Sequence, residues 1–169
     1  MFSVIKLTKF FVINVFFILF SLSAIANLAP NTQPIVGYWQ TIDGKTKKPS
    51  SVIEIQQVKQ IFEGKIFKTY SVQAPGVIER CTMCTGMDLN KPILGLVIIK
   101  NMTCGSKSCK GGTILDPRNG KVYHATMKLV QNGLKLRVRG YIGTPLFGKT
   151  VVWHRTDKNG NSTTLSTTL

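Results

Sequence analysis

The 169-residue sequence predicts an all-β fold, either a sandwich or a barrel. Short runs of alternating or β-branched residues recur along the chain, and turn residues break these runs every eight to twelve positions, as in all-β domains. No segment keeps a helical period of apolar residues over ten positions. An Asn-Gly pair between two alternating runs adds the strongest short signal for a β-hairpin.

Five candidate strands precede this hairpin. They cover residues 35–42, 50–57, 60–70, 94–100 and 112–115. The last of them leads into a turn at 116–120, where Pro117 presets φ and Gly120 can take the left-handed conformation. Between the third and the fourth, residues 71–92 carry two prolines, two glycines and two cysteines, which predicts a long Cys-containing loop.

The register of the hairpin follows from its turn. If Asn132 and Gly133 are the two turn residues, the numbers of paired residues add up to 265, so Lys128 faces Arg137. The apolar side chains then share one face: Tyr123, Ala125, Met127, Leu129, Leu134, Leu136 and Val138. The basic side chains share the other face: Lys128, Lys135, Arg137 and Arg139. A slip of one residue would bury the charges, so the register is well specified.

The basic face of the hairpin is a candidate anion-binding face. Like charges directly opposite one another destabilise a sheet, yet Lys128 and Arg137 occupy such positions. An anionic partner would explain this arrangement. The other interpretation is a solvated face on which long side chains splay apart in water, or an edge that charge protects from aggregation.

The first 26 residues are organised as a cleavable signal peptide. Lys6 and Lys9 precede an apolar run at 10–22, and small residues stand at Ala24 and Ala26, where signal peptidase requires them. A retained anchor is the alternative, but a spanning helix needs ~20 apolar residues and this run has 13. We therefore expect a bacterial protein exported to the periplasm or the medium. One domain covers its residues 27–155, and residues 156–169 form a polar, flexible tail.

The processed chain is strongly basic, with 20 Lys and Arg residues against 7 Asp and Glu residues. Such a charge attracts polyanions. Export makes nucleic acid the poorest of these partners and leaves anionic lipid or lipopolysaccharide as the better candidates. The alternative is that the charge serves solubility alone.

Four cysteines fall into two close pairs, Cys81 with Cys84 and Cys104 with Cys109. Disulfides suit an oxidising compartment, although four cysteines allow three connectivities. Structural zinc is the second interpretation, since the ligand spacing is nearly right. A redox-active C-x-x-C is the third, but no helical pattern follows the motif to lower the pKa of a thiol.

The sequence contains no recognisable catalytic constellation. His124 and His154 stand outside any metalloprotease motif, and no nucleophile elbow or phosphate-binding loop is present. The seven carboxylates form no obvious acid/base pair. We therefore predict no catalytic residue, no metal site and no cofactor, and an enzyme is less favoured than a binding protein.

Several stretches of the chain resemble a known family. Gly37-x-Trp39 near the start, with Arg155 near the end, is similar to the arrangement in lipocalin-like barrels. More of the chain resembles a bacterial family of exported proteins catalogued as domain of unknown function 2147. The similar stretches are GYWQT from 37, the Cys81-x-x-Cys84 loop, PILGLVI from 92, GGTILDPRNGKVY from 111, LRVRGYIG from 136 and WHR from 153.

This resemblance implies a single antiparallel, lipocalin-like barrel of about eight strands. It implies that Gly37, Trp39 and Arg155 close the barrel as structural residues, with the guanidinium against the indole. The family often has the C-x-x-C loop without a second cysteine pair. That favours a bridge within this loop and leaves Cys104 to bond Cys109. The resemblance implies no established activity.

We therefore expect an exported, non-catalytic binding protein. Its barrel would hold a small apolar or amphiphilic ligand, and its basic face would meet an anionic envelope surface. A structural or interaction module with a barrel filled by side chains is the first alternative. A thiol-based or other enzyme is the second.

Cleavage of the signal peptide should leave a mature N-terminus at Asn27. N-terminal sequencing of the exported product should begin with Asn27-Leu28-Ala29, and the protein should be found in the periplasm or the medium. A product that keeps Met1 and stays in the membrane fraction would show that the apolar run is an anchor.

Overall fold

The computed structural model describes residues 35–70 and 79–163, so the predicted signal peptide at 1–26 lies outside the described residues. Eight antiparallel strands close into a barrel, in which each strand pairs with its neighbour in sequence and the last pairs with the first. The strands are β1 (Gly37–Ile42), β2 (Pro49–Val58), β3 (Ile61–Thr69), β4 (Val97–Cys104), β5 (Ser108–Asp116), β6 (Lys121–Val130), β7 (Lys135–Tyr141) and β8 (Lys149–Thr156). Two 3-10 turns, Gly86–Asp88 and Pro145–Phe147, lie between strands. The prediction of an antiparallel barrel of about eight strands is confirmed.

Two strands have limits that differ from the predicted ones. The apolar run at 94–100 predicts one strand, but β4 starts only at its middle, because the chain turns at Gly95, where φ is +85°. The strand expected at 112–115 is longer at both ends. It continues through a bulge at Gly111, where φ is +81°.

The hairpin of β6 and β7 has the predicted register, with Lys128 opposite Arg137. A backbone hydrogen bond of 2.9 Å spans its turn. Asn132 and Gly133 both have positive φ (50° and 84°), as a tight hairpin turn requires. The apolar face of the hairpin points into the barrel and the basic face points outward.

Apolar side chains at alternating strand positions fill most of the barrel interior. The most completely buried of them are Trp39, Ile53, Ile55, Ile99, Met102, Met127, Leu136 and Val138. Inward glycines make room for larger neighbours. A β-carbon at Gly112 would collide with the Met102 side chain, and one at Gly64 would lie 3.0 Å from Ile99. Small and large residues therefore interlock, as close packing requires.

All four cysteines form disulfides, Cys81–Cys84 in the β3–β4 connection and Cys104–Cys109 between β4 and β5. The disulfide interpretation is therefore confirmed. The C-x-x-C turn also packs against the β5–β6 turn, because a β-carbon at Gly120 would collide with the backbone there. With Cys81 fully buried, this part of the long loop belongs to the core.

Residues 157–163 fold back onto the barrel and so differ from the flexible tail that their composition predicts. Thr156 donates from Oγ1 to the carbonyl of Asn161 (2.6 Å). Gln40 donates from Nε2 to the carbonyl of Gly160 (3.0 Å). This segment thus forms hydrogen bonds with β1 and with the end of β8, and residues 164–169 lie outside the described part.

Removal of either disulfide should weaken the barrel without unfolding it. Each bridge closes a loop of only a few residues, so its loss should cost about 2 kcal/mol of unfolding free energy. The double variants Cys81→Ala/Cys84→Ala and Cys104→Ala/Cys109→Ala test this by urea unfolding. Both should keep the strand signal in far-UV circular dichroism, and its loss in either variant would contradict the expectation.

Candidate functional site

The antiparallel order places the strand connections at two ends of the barrel. We call the closed end the one that holds the β2–β3, β4–β5 and β6–β7 connections, the start of β1 and the end of β8. We call the open end the one that holds the β1–β2, β3–β4, β5–β6 and β7–β8 connections. The side chains at the two ends differ in burial and in chemistry.

At the closed end, Arg155 covers the ring of Trp39. The two residues are paired across β1 and β8, and the guanidinium carbon lies 4.2 Å from the ring centroid. The guanidinium donates from Nε to the carbonyl of Gly133 (2.6 Å), and the indole donates from Nε1 to the carbonyl of Ile35 (2.9 Å). Burial lowers the pKa of Arg155, yet an arginine stays charged at neutral pH. The pair thus joins β1, β8 and the β6–β7 turn.

Gly37 provides the space that this pair needs. Its φ is +125°, which favours glycine, and a β-carbon there would lie 3.4 Å from Nη1 of Arg155. The same Nη1 donates to the carbonyl of Val36 (3.4 Å). The structure therefore brings together the three residues to which the family resemblance assigns barrel closure: Gly37, Trp39 and Arg155.

At the open end, part of the inner surface is exposed. Val151 pairs with Val138 and faces inward, yet 39% of Val151 is exposed and only 1% of Val138. Ile114 and Tyr123 pair across β5 and β6 and are half-buried. Gly140 adds no side chain here, and a β-carbon on it would lie 3.4 Å from Tyr123. We call this opening, lined by Ile114, Tyr123, Gly140 and Val151, the mouth.

Hydroxyl groups lie on the opposite wall, at the end of β1 and the start of β2. Thr41 Oγ1 and Ser51 Oγ are 2.8 Å apart, and both side chains are partly exposed. Thr41 shares the inward face of β1 with Trp39, because side chains alternate along a strand. The open end therefore combines an apolar wall with a polar one.

The outer wall of β6–β8 is basic. Lys128 and Arg137 are exposed opposite each other, and Lys135 pairs with His154 across β7 and β8. Burial and the neighbouring charge of Lys135 lower the pKa of His154. Within the described residues no ion pair involves Lys128, Lys135 or Arg137.

Arg139, the fourth residue of the predicted anion-binding face, is engaged elsewhere. Its guanidinium donates to the carbonyls of Pro145 (2.8 Å) and Leu146 (3.1 Å). It also donates to Oγ1 of Thr150 (2.8 Å). This side chain holds the β7–β8 connection. An anion-binding role for Lys128, Lys135, Arg137 and Arg139 stays a prediction. The hairpin register fixed the direction of Arg139, but it could not show that a loop folds onto it.

The acidic side chains serve the scaffold. Burial alone would raise the pKa of Asp116, but hydrogen bonds from Arg118 lower it below its usual value. Asp88 accepts from Lys100 (2.7 Å), and Glu54 forms an ion pair with Lys65 (2.9 Å). In residues 35–70 and 79–163, no group of three or more His, Cys, Asp and Glu residues could hold a metal ion.

The mouth is the feature that sequence reasoning missed. Val151 and Val152 are both apolar, so the local pattern does not show which one faces inward. Only alternation counted back from Trp153 and Arg155, whose side chains face inward, places Val151 on the inside. Its exposure depends on how wide the barrel opens, which no short pattern shows.

The closed eight-stranded antiparallel barrel, with an arginine stacked on a first-strand tryptophan, is a lipocalin-like fold. A solved structure described as "Protein HP1028 from the human pathogen Helicobacter pylori belongs to the lipocalin family" is similar, with a TM-score of 0.62 and 22% identity. The match covers 73% of this chain and 84% of that one, and at this identity it shows the fold alone.

Residues 37–155 match the family described as uncharacterized protein conserved in bacteria (DUF2147), and the chain belongs to this family. Among curated proteins no sequence match is found. In the described part of the chain, the structure has no helix with the length and apolar character needed to cross a membrane.

The Trp39–Arg155 contact should matter for stability. Trp39→Ala should lower the free energy of unfolding by about 3–5 kcal/mol, because the ring is fully buried. Arg155→Lys keeps the charge but loses the planar fork, and should cost about 1 kcal/mol. Urea unfolding measures both, with the outward Val152→Ala as a control within about 0.5 kcal/mol of the wild type. A cost for Trp39→Ala no larger than that of the control would contradict the closing role.

Proposed function

We propose that this chain is an exported, non-catalytic binding protein whose mouth takes a small apolar or amphiphilic molecule. The exposed fraction of Val151 carries the proposal. This inward-facing valine is 39% exposed, whereas Trp39 and Met127, deeper in the barrel, are 0% and 1% exposed. When a ligand covers solvent-exposed apolar surface at such an opening, the removal of that surface from water favours binding.

The two walls of the mouth support the class of ligand. Ile114, Tyr123 and Val151 offer apolar contact, and Thr41 and Ser51 offer hydroxyl groups. Packed side chains fill the closed end, so a chain or ring would enter only part of the barrel and leave its polar head at the opening. The net positive charge of the protein favours an anionic head group.

Attraction to an anionic envelope surface is the second part of the proposal. The sequence at 1–26 supports export. Lys128, Lys135 and Arg137 support attraction to anionic lipid or lipopolysaccharide, because no carboxylate of the described residues pairs with them. Their field would steer the protein toward such a surface and would weaken in salt.

A structural module with a filled barrel is the competing function. The close packing of Gly64 against Ile99 and of Gly112 against Met102 favours the structural module, since these contacts leave little room inside the barrel below the mouth. A thiol-based enzyme has no such support, because all four cysteines are in disulfides. The two remaining functions differ in whether anything binds at the mouth.

Two neighbouring valines provide a matched test of ligand binding. Val151 and Val152 have the same exposed fraction, 39%, but Val151 faces the mouth and Val152 faces the outer wall opposite Arg137. Val151→Phe should fill the mouth, while Val152→Phe adds the same volume outside. Fluorescence titration with cis-parinaric acid, a fluorescent fatty acid, should show saturable binding to the wild type and to Val152→Phe. Val151→Phe should bind at least about tenfold more weakly.

Mass spectrometry of lipids that co-purify with the native protein is the companion measurement. A stoichiometric amphiphile on the wild type that is depleted on Val151→Phe would support the proposal. Equal parinaric acid binding by both variants would place the probe outside the mouth. No binding by the wild type would favour the filled structural module.

A further inference from the structure

The most exposed apolar side chains of the described residues are gathered at one end of the barrel. Six large apolar side chains are more than 60% exposed, and all six lie on connections at the open end. We call them the rim: Met83, Met87, Leu94, Ile142, Leu146 and Phe147. Among the described residues of the closed end, the most exposed large apolar residue is Val58, at 42%. Single exposed apolar residues are ordinarily scattered over a protein surface. The concentration of the rim residues at one end therefore indicates an interaction site.

The rim is held in place by the fold. Arg139 binds the carbonyls of Pro145 and Leu146, which fixes the turn that exposes Leu146 (79%) and Phe147 (82%). The Cys81–Cys84 disulfide and the close approach of Gly120 to the backbone of Met83 fix the other connection. These apolar groups are therefore presented to solvent by specific contacts.

Basic residues accompany the rim. Across residues 43–48, 79–96, 116–121 and 142–149 the chain has eight basic and four acidic residues. Three of the four acidic groups are already paired: Asp88 with Lys100, and Asp43 and Asp116 with Arg118. Lysines remain at the same end without an ion pair among the described residues: Lys45, Lys47, Lys48, Lys121 and Lys149.

We propose that the open end docks on an anionic lipid surface, with the rim inserted among the acyl chains and the neighbouring lysines at the head groups. Apolar side chains next to long cationic ones match the interfacial region of a bilayer, where lysine stems extend along apolar surface and their charges stay in water. The proposal rests on the anionic-surface part of the proposed function and adds the part of the barrel that makes the contact. The mouth then opens toward the lipid.

Charge complementarity favours lipid over a second copy of this chain. If two open ends faced each other, two sets of unpaired lysines would repel one another. Anionic head groups would instead neutralise the positive charge of a single set. The basic wall of Lys128, Lys135 and Arg137 attracts the same lipid from a distance. The rim determines which end touches it.

Vesicle partitioning tests the proposal with two matched double variants. Leu146→Ser/Phe147→Ser removes the two apolar groups that Arg139 presents, and Val58→Ser/Val152→Ser removes two exposed apolar groups elsewhere. Co-sedimentation uses vesicles of phosphatidylcholine with one quarter phosphatidylglycerol. The rim variant should bind at least about tenfold more weakly than the wild type, and the control variant should bind equally. Circular dichroism checks that both remain folded.

The depth of insertion has its own readout. Phe147→Trp adds an indole at the rim, while Trp39 and Trp153 are buried in the barrel. Vesicles with brominated acyl chains should quench the new emission and leave the wild-type emission nearly unchanged. A fourth variant, Lys128→Gln/Lys135→Gln/Arg137→Gln, is called the wall variant and should weaken binding at low salt. Combined with Phe147→Trp, it should keep the quenching of the new indole in the bound fraction.

Three results would overturn the proposal, and they distinguish its failure from that of the proposed function. If the wall variant loses binding and the rim variant keeps it, the barrel wall is the contact and attraction to anionic surfaces stands. If the wild type binds no vesicles, both ideas about the surface fail, while parinaric acid binding at the mouth stands on its own. If the wild type is a dimer by analytical ultracentrifugation and Leu146→Ser/Phe147→Ser is a monomer, the rim covers a second copy.

Discussion

Pairing of the first strand with the last is the constraint on which the rest of this structure depends. Only three residue pairs form the ladder between β1 and β8, and Trp39 opposite Arg155 is the central one. A ladder this short gives little free energy by itself. The stacked guanidinium, its hydrogen bonds to Gly133 and Val36, and the indole bond to Ile35 add contacts at the same place. Without closure both strands would be exposed edges.

Closure also creates an inside, and the chain fills that inside unevenly. Near the closed end, the inward side chains of Trp39, Ile55 and Leu136 are fully buried. Toward the open end, Gly140 on β7 adds no side chain and the inward Val151 on the neighbouring strand β8 is 39% exposed. The result is a barrel that is stabilised at one end and accessible at the other. Binding at the mouth and docking by the rim are separate proposals, but both follow from this polarity.

Charged side chains are also distributed unevenly, and they have two different roles in the barrel. Glu54, Asp88 and Asp116 pair with basic residues and hold the scaffold. The outer wall of β6–β8 keeps unpaired positive charge because no carboxylate lies on these strands. Arg139 belongs by register to that wall, yet its guanidinium is used to shape the β7–β8 connection. The basic β6–β7 hairpin therefore supplies a positive electrostatic field and, through Arg139, also supports the β7–β8 connection with its exposed apolar residues.

Local sequence was sufficient for those features of the fold that depend on residues close together in the chain. Alternation identified the strands, the Asn132-Gly133 turn set the register of β6 and β7, and the close spacing of the cysteines made short-range disulfides an option. Family resemblance then supplied the barrel and the disulfide pairing. The tertiary structure alone decided the start of β4 after Gly95, the role of Arg139 and the opening at Val151. It also gathered Met87 and Phe147, 60 positions apart in the chain, at one end. These features are contacts, or missing contacts, between distant segments, and no local pattern of residues encodes how such segments meet.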